Sequence, residues 1–141
     1  MIVKMEQGDI FKKRSGSHIF FAVNKEGFND AGFAGLVSRN YWPELANTGG
    51  NELGDCLYFH YRKDENDLTG IHFHACVCHS LKDGWKAAPA YINEALKKLP
   101  DELISCVLMG NGFIGKMQGA NVDAIKATLQ LSNHKVEVFY L

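Results

Sequence analysis

Two nearly continuous apolar runs, His18–Asn24 and Leu103–Met109, constrain the fold of this chain most. Strands buried on both faces have this pattern, and they are typical of parallel sheets with helices on either side. A helix-like segment follows each run. One begins near Ala31, and the other begins at Asn121, whose side chain can cap it. The alternation predicts an α/β fold with a central sheet flanked by helices.

The remaining segments complete this pattern. Ile2–Glu6 and Lys135–Leu141 predict a first and a last strand. Cys56–Tyr61 and Ile71–Cys78 flank a polar loop that ends in glycine, which predicts an antiparallel hairpin. Pro89–Leu99 predicts a helix with one apolar stripe, begun by one proline and stopped by another.

Composition narrows the class of function. The formal net charge of -1 supplies no positive field that would gather nucleic acid or an anionic membrane, so we expect direct binding to neither. The chain has no signal-peptide pattern, no apolar run of membrane length and no disulfide-scaffold spacing among its four cysteines. We therefore expect a reduced, cytoplasmic protein that forms one domain over residues 1–141, while its oligomeric state stays open.

Two strand-to-helix loops have the composition of a binding site. The first reads Asp30-Ala31-Gly32-Phe33-Ala34, and the second reads Gly110-Asn111-Gly112-Phe113-Ile114-Gly115. Ligands of open α/β sheets bind at the carboxyl ends of strands, where such loops lie. Glycine lets a phosphate approach the main chain, and a helix N-terminus offers N–H groups and a positive dipole end. The two loops together can hold a diphosphate, although either one alone fits a simple tight turn better.

The strand before the predicted helix Pro89–Leu99 carries residues that bind metals in other proteins. His72, His74, Cys76 and Cys78 alternate, so all four point to one face. Such a set spans about 20 Å, far more than the bonds of roughly 2.0–2.3 Å around a tetrahedral zinc allow. We expect no metal site and no cofactor, and interpret this face as packed under a helix. Cys78 and His79 are weak catalytic candidates, because neighbouring strand residues point to opposite faces.

Gly8-Asp9-Ile10, the two glycine loops and the terminal strand Val136–Leu141, taken in order, resemble the macro domains. The resemblance implies a three-layer α/β fold with a central mixed sheet, and a cleft that binds ADP-ribose. It implies that Asp9 contacts adenine, that the loops hold the diphosphate and that the second loop wraps the distal ribose. A turn or a helix cap is the alternative for Asp9, although the Gly-Asp-Ile context favours the adenine contact, and Phe113 and Tyr140 equally fit core packing.

The resemblance thus implies one set of ligand-binding residues, drawn from three parts of the chain. They are Asp9, Ile10, Asn24, Asp30, Ala31, Gly32, Phe33, Ala34, Gly110, Asn111, Gly112, Phe113, Ile114, Gly115 and Tyr140.

The segment Lys116–Val122 resembles one subgroup in particular, the terminal ADP-ribose protein glycohydrolases. That subgroup uses a lysine at the end of the middle strand and an acidic residue in the second loop. Here the middle strand ends in Val77-Cys78-His79-Ser80, and the second loop has no acidic residue. Hydrolytic macro domains of the more common type place an asparagine, and often an acidic residue, beside the distal ribose in the first loop, and Asn24, Asn29 and Asp30 partly match that pattern. We leave Asn24, Asp30, Cys78 and His79 as weak catalytic candidates.

Three hypotheses follow from these residues. The first is a module that binds ADP-ribose or an ADP-ribosylated macromolecule. The second is an enzyme on the same scaffold, an ADP-ribosyl hydrolase or an ADP-ribose-1″-phosphate phosphatase. The third is a protein-interaction domain with a degenerate pocket, which gains support if Phe28 or Phe33 blocks the first loop.

Overall fold

The apolar runs become neighbouring strands of one sheet in the computed structural model, which describes residues 1–112, 115–117 and 119–140. The elements, in chain order, are β1 (Ile2–Gln7), α1 (Ile10–Lys13), β2 (His18–Asn24), α2 (Gly32–Asn40), a 3₁₀ turn (Pro43–Ala46), β3 (Cys56–Tyr61), β4 (Ile71–His79), α3 (Ala88–Leu96), β5 (Ile104–Val107), β6 (Asn111–Gly112), β7 (Gly115–Lys116), α4 (Val122–Leu131) and β8 (Val136–Tyr140).

The main sheet has six strands in the order β1-β8-β5-β2-β4-β3. Every neighbouring pair is parallel except β3 with β4, which are antiparallel with Cys56 opposite Cys76 and Tyr61 opposite Ile71. The predicted hairpin and the predicted mixed sheet are both confirmed.

Side chains on the two faces of the sheet build two separate cores. Phe20 of β2 faces α3 and α4, whereas its neighbours Ile19 and Phe21 face the layer that contains α2. All three side chains are fully buried. This two-sided burial explains why β2 is apolar almost throughout, and it gives the three-layer α/β architecture that the sequence predicts.

The structure departs from the sequence prediction near two glycines. Residues 10–13, just after Gly8-Asp9, form the short helix α1, which the sequence pattern does not predict. The strand predicted over Leu103–Met109 is shorter, Ile104–Val107, because the chain turns at Gly110, whose φ is +80°.

In the described residues no helix has both the length and the apolar character needed to cross a bilayer.

Four histidines lie side by side on one face of β2, β3 and β4. The rings of His60 and His18 stack on opposite sides of His72, with centroids 3.9 and 4.5 Å away. His18 Nδ1 lies 2.9 Å from His74 Nε2. Burial lowers the pKa of His18 and His72 and lowers the pKa of His74 to about 4, so these rings are held in the neutral form.

This cluster makes the stability of the fold dependent on pH. The unfolded chain takes up a proton at His74 near pH 6.5, whereas the folded chain keeps the ring neutral down to about pH 4. The contribution of His74 to the free energy of unfolding is therefore fully present above pH 6.5, and it is lost as the pH drops towards 4. Between pH 7.5 and pH 5 we expect a loss of about 2 kcal/mol from His74 alone. Urea denaturation of the wild type and of His74→Met measures it, and an unchanged pH dependence in the variant would contradict the assignment.

Candidate functional site

The residues predicted for the site lie at one end of the sheet, where the parallel strands terminate. Since five strands run parallel, their carboxyl ends lie together. Asp9 follows β1, Tyr140 ends β8, Gly110 follows β5 and His79 ends β4, with the first loop following β2. Gly8 N donates to Tyr140 O at 2.8 Å, which brings Asp9 beside Tyr140.

A crevice is expected between β2 and β5 at this edge. The helix after β2 packs on one face of the sheet, and the helix after β5 packs on the other. Adjacent strands whose connections leave to opposite faces mark the point where open α/β sheets bind ligands. In the described part of the chain β2 pairs with β5 only over residues 18–20, whereas it pairs with β4 along its whole length. The last residues of β2 therefore extend beyond their pairing with β5.

Two buried asparagines shape the first loop. The Asn24 side chain donates to Phe28 O at 2.6 Å and accepts from Gly27 N and Phe28 N at 2.8 and 3.1 Å. The Asn29 side chain accepts from Asn24 N at 3.2 Å and donates to Leu45 O at 3.2 Å. Both amides are engaged with the backbone of the loop and its neighbours, so in this structure they position the loop.

Residues 46–51 pack against this loop and form backbone hydrogen bonds with it. Thr48 N donates to Gly27 O at 3.0 Å, and Asn51 N donates to Lys25 O at 2.8 Å. Gly27 has a φ of +85°, and a Cβ there would lie 1.9 Å from Gly49 O. The sequence pattern alone does not assign this segment a contact with the first loop. The signal that marks it is the pair Gly49-Gly50, beside the asparagine that bonds back to Lys25.

The first loop overlaps the start of α2, where Ala31 is the N-cap and makes no side-chain cap bond. Ala31 and Gly32 are exposed, and a Cβ on Gly32 would meet nothing within 4 Å. Asp30 is also exposed, and its backbone lies against α2, since a Cβ on Gly35 would be 2.6 Å from the Asp30 carbonyl carbon. The main-chain N–H groups at this helix start are therefore placed to donate hydrogen bonds to an anion.

The other two residues of the predicted first-loop set face inward. Ala34 is buried in the core. Phe33 is half-buried, with its ring 5.7 Å from Phe11 and 5.5 Å from Phe21 between centroids. The structure therefore divides the motif into an exposed part, Asp30–Gly32, and a packed part.

The second loop folds back on itself. Asn111 pairs with Lys116 and Gly112 pairs with Gly115, as the antiparallel ladder of β6 and β7. Gly110 precedes this ladder, and a Cβ there would lie 3.0 Å from Ile125 Cδ1 and 3.1 Å from Ala120 Cβ, so α4 packs closely on it. Phe113 and Ile114, which the sequence places in this loop, lie outside the described residues.

The residues predicted to contact adenine differ in exposure. Asp9 is exposed and caps α1, with its Oδ1 accepting from Phe11 N at 3.0 Å. Ile10 is buried beside it, and Tyr140 is 38% exposed. Phe139 is fully buried in the core, so of the two aromatic residues at the end of β8 only Tyr140 has surface to offer a ligand.

Cys78 and His79 contact each other at the end of β4, with Sγ 3.9 Å from Nδ1. Hydrogen bonds from Cys76 and His79 lower the pKa of Cys78 to about 6, against the effect of burial. The Cys78 side chain is only 1% exposed, however, and the His79 ring stacks on Trp85 at 4.1 Å between centroids. Over residues 1–112, 115–117 and 119–140, no three His, Cys, Asp or Glu side chains are placed to hold one metal ion.

Comparison with known proteins identifies the fold. No protein-family model matches the sequence, and neither does any curated protein. Among solved structures, the macrodomain of Thermus aquaticus DarG is 15% identical, with a TM-score of 0.62 over 100% of this chain and 98% of that one. A Bacteroides thetaiotaomicron protein of unknown function is 14% identical, with a TM-score of 0.69 over 100% and 98%. Thermosipho africanus DarTG in complex with ADP-ribose is 15% identical, with a TM-score of 0.62 over 99% and 42%. The chain therefore has the macrodomain fold, as its sequence predicts.

The packing of the first loop against residues 46–51 is testable with two glycines. Gly27→Ala and Gly49→Ala both place a side chain at positive φ, +85° and +69°, but only the first meets backbone atoms. We expect Gly49→Ala to lower the free energy of unfolding by about 1 kcal/mol and Gly27→Ala by about 3 kcal/mol or more. Chemical denaturation of both variants measures the difference. Equal losses would show that this contact does not hold the loop.

Proposed function

We propose that this chain binds ADP-ribose, free or attached to a macromolecule, in the crevice between the first and second loops. One observation carries the proposal. The N-terminus of α2 is exposed, has no side-chain cap and lies where the connections of β2 and β5 leave to opposite faces. A diphosphate at this position would accept hydrogen bonds from the main-chain N–H groups of the helix. The Thermosipho africanus structure, which shares the fold, is a complex with ADP-ribose.

The proposed ligand lies across the carboxyl ends of the parallel strands. Its diphosphate lies between Ala31-Gly32 and the backbone of Gly110–Gly115. Its adenine extends towards Asp9, Ile10 and Tyr140. The Asp9 Oδ1 atom caps α1, but a carboxylate has two oxygens, so the other one can accept from the adenine amino group. The cap and the adenine contact are therefore compatible.

The distal ribose extends towards Asp30 and the loop that Asn24 shapes. Phe33 and Ala34 support this part of the site from the core side. The second-loop residues Asn111, Gly112, Phe113 and Ile114 complete the proposed contact set.

Ala31→Asp tests the site with two effects of opposite sign. An aspartate at this N-cap accepts from the first N–H groups of α2 and complements the helix dipole, so we expect a gain of about 0.5–1 kcal/mol in the free energy of unfolding. The same carboxylate occupies the proposed diphosphate position, so affinity for ADP-ribose should fall at least about tenfold. Thermal unfolding and calorimetric titration measure the two effects.

Ala87→Asp is the matched control, because Ala87 is the N-cap of α3 and also lacks a side-chain cap bond. Its affinity for ADP-ribose should remain that of the wild type. ATP and NAD serve as ligand controls. Absence of wild-type binding at millimolar ADP-ribose would overturn the proposal and favour an interaction domain with a degenerate pocket.

A second candidate function is hydrolysis on the same scaffold, and the exposed Asp30 carboxylate beside the proposed distal-ribose position favours it. A carboxylate there can orient and deprotonate a water. The water would attack either the anomeric carbon of the ribose, which releases the modified group, or the phosphorus of a terminal phosphate, which breaks its bond to the ribose oxygen and releases phosphate. The substrates to test are an ADP-ribosylated protein, an ADP-ribosylated nucleic acid and ADP-ribose-1″-phosphate.

Asp30→Asn removes the charge and keeps the shape of the side chain. If the chain is an enzyme, we expect this variant to lose turnover by about 10²-fold or more while retaining affinity for ADP-ribose within a few-fold. Product release by mass spectrometry and calorimetry separate the two quantities. A wild type that releases no product from any of the three substrates leaves binding as the function.

A further inference from the structure

Two cysteines face each other across the antiparallel pair of β3 and β4. Cys56 and Cys76 are direct partners in the register of this ladder. Directly opposed residues point to the same face of a sheet, and both of these side chains pack in the core that α3 and α4 cover. All four cysteines of the chain are free thiols. The Cys56 and Cys76 thiols are therefore neighbours that no bond joins in this structure.

Two backbone hydrogen bonds establish the kind of pair that these cysteines form. Val77 N donates to Asp55 O at 2.9 Å, so the next pair along the ladder is a hydrogen-bonded one. His72 N donates to Ser17 O, on the side of β4 that faces away from β3. Because the two kinds of pair alternate, Cys56 and Cys76 form a non-hydrogen-bonded pair, in which the Cα atoms approach to about 4.5 Å.

This separation lies within the reach of a disulfide, which joins Cα atoms about 4.4–6.8 Å apart. The other cysteines fit less well. Cys78 is two residues from Cys76 on the same strand, at roughly 6.6 Å, with its Cα–Cβ bond parallel to that of Cys76. Cys106 lies on β5, which β2 separates from β4, at about 9.5 Å. The geometry therefore selects the pair of Cys56 and Cys76.

The same geometry makes such a bond easy to reduce. A separation of about 4.5 Å is at the short end of the disulfide range, whose most frequent values are about 5.5–6 Å. Disulfides away from the preferred geometry store strain, and strained disulfides have more oxidising potentials. A bond between Cys56 and Cys76 is therefore expected to be reversible.

The two thiols differ in access. Cys56 is partly exposed and lines a cavity of about 400 Å³ together with Tyr58, His74 and Lys98. Cys76 is fully buried. A small oxidant that enters the cavity therefore meets Cys56 first, and Cys76 is the thiol that can react with the oxidised sulfur.

Both thiols are held in the protonated form at neutral pH. Burial raises the pKa of Cys56 to about 12 and raises the pKa of Cys76 as well, while the charge of Lys98 acts in the opposite direction on both. Only the thiolate is a strong nucleophile, so the first oxidation step is slow. The pair consequently stays reduced until the oxidant is abundant.

We propose that Cys56 and Cys76 are a redox-sensitive pair that forms a disulfide when hydrogen peroxide oxidises the protein. The Cys56 sulfur attacks one peroxide oxygen, the O–O bond breaks, and one water leaves, which gives a sulfenic acid. The Cys76 sulfur then attacks the Cys56 sulfur and loses its proton, and the sulfenic oxygen leaves as a second water. The peroxide gains two electrons and the two thiols lose two hydrogen atoms. The proposal is independent of ADP-ribose binding.

Mass spectrometry of the reduced protein before and after peroxide treatment tests the proposal, with the remaining thiols alkylated. The wild type should lose two hydrogen atoms, and two of its four cysteines should escape alkylation. Trypsin cleaves after Arg62 and Lys63, so the peptides that contain Cys56 and Cys76 should stay joined until a thiol reductant separates them. A wild type that keeps four free thiols, forms only sulfinic acid or joins another pair would overturn the proposal.

Serine variants identify the two sulfurs. Cys76→Ser should lose the disulfide and leave Cys56 as a sulfenic acid that dimedone traps, and Cys56→Ser should lose both products. Cys106→Ser is the matched control, because Cys106 is as fully buried as Cys76. Cys106→Ser and Cys78→Ser should both keep the disulfide, and its loss in either one would contradict the assignment. Thermal unfolding shows whether each variant is folded, and Cys56→Ser, at the partly exposed position, keeps the test decisive if Cys76→Ser is not.

Discussion

The burial of β2 on both faces and both edges is the constraint on which the rest of the structure depends. Its side chains alternate between the two cores, Phe20 towards α3 and α4 and Phe21 towards α2. Its backbone pairs with β4 on one side and β5 on the other. The two helices that follow β2 and β5 are thereby sent to opposite faces. The crevice proposed for ADP-ribose lies where these two helices diverge, beside this central strand.

From β2 the chain passes directly into the first loop, and buried polar chemistry fixes the loop there. Asn24 and Asn29 are buried, and their side chains satisfy backbone groups of the loop and the carbonyl of Leu45. A buried amide left without partners costs about 1–3 kcal/mol, so this network resists alternative loop conformations. The sequence makes Asn24 and Asn29 candidates for contact with a ligand. In the structure their side-chain amides bond to the backbone, and these bonds position Asp30 and the start of α2.

The parts of the molecule that the sequence predicts are those governed by local pattern. The apolar run of β2, the hairpin of β3 with β4 and the Asn121 cap of α4 all appear where periodicity and capping place them. The parts it misses are too short to show a pattern or depend on contacts far apart in the chain. The short helix after Asp9 has only four residues, too few to show a helical period. The brace of residues 46–51 on the first loop becomes visible only when Gly27 and Gly49 are brought together in space.

The four helices differ in how their first N–H groups are satisfied. Side chains cap α1 and α4, through Asp9 and Asn121. The start of α3 has no such cap, but Pro89 in its first turn lacks an N–H group, so fewer donors need a partner there. The start of α2 has neither a side-chain cap nor a proline, and its first turn reads Gly-Phe-Ala-Gly. Its N–H groups therefore depend on water or on a bound anion, and a diphosphate that accepts from them would supply the cap that the sequence omits.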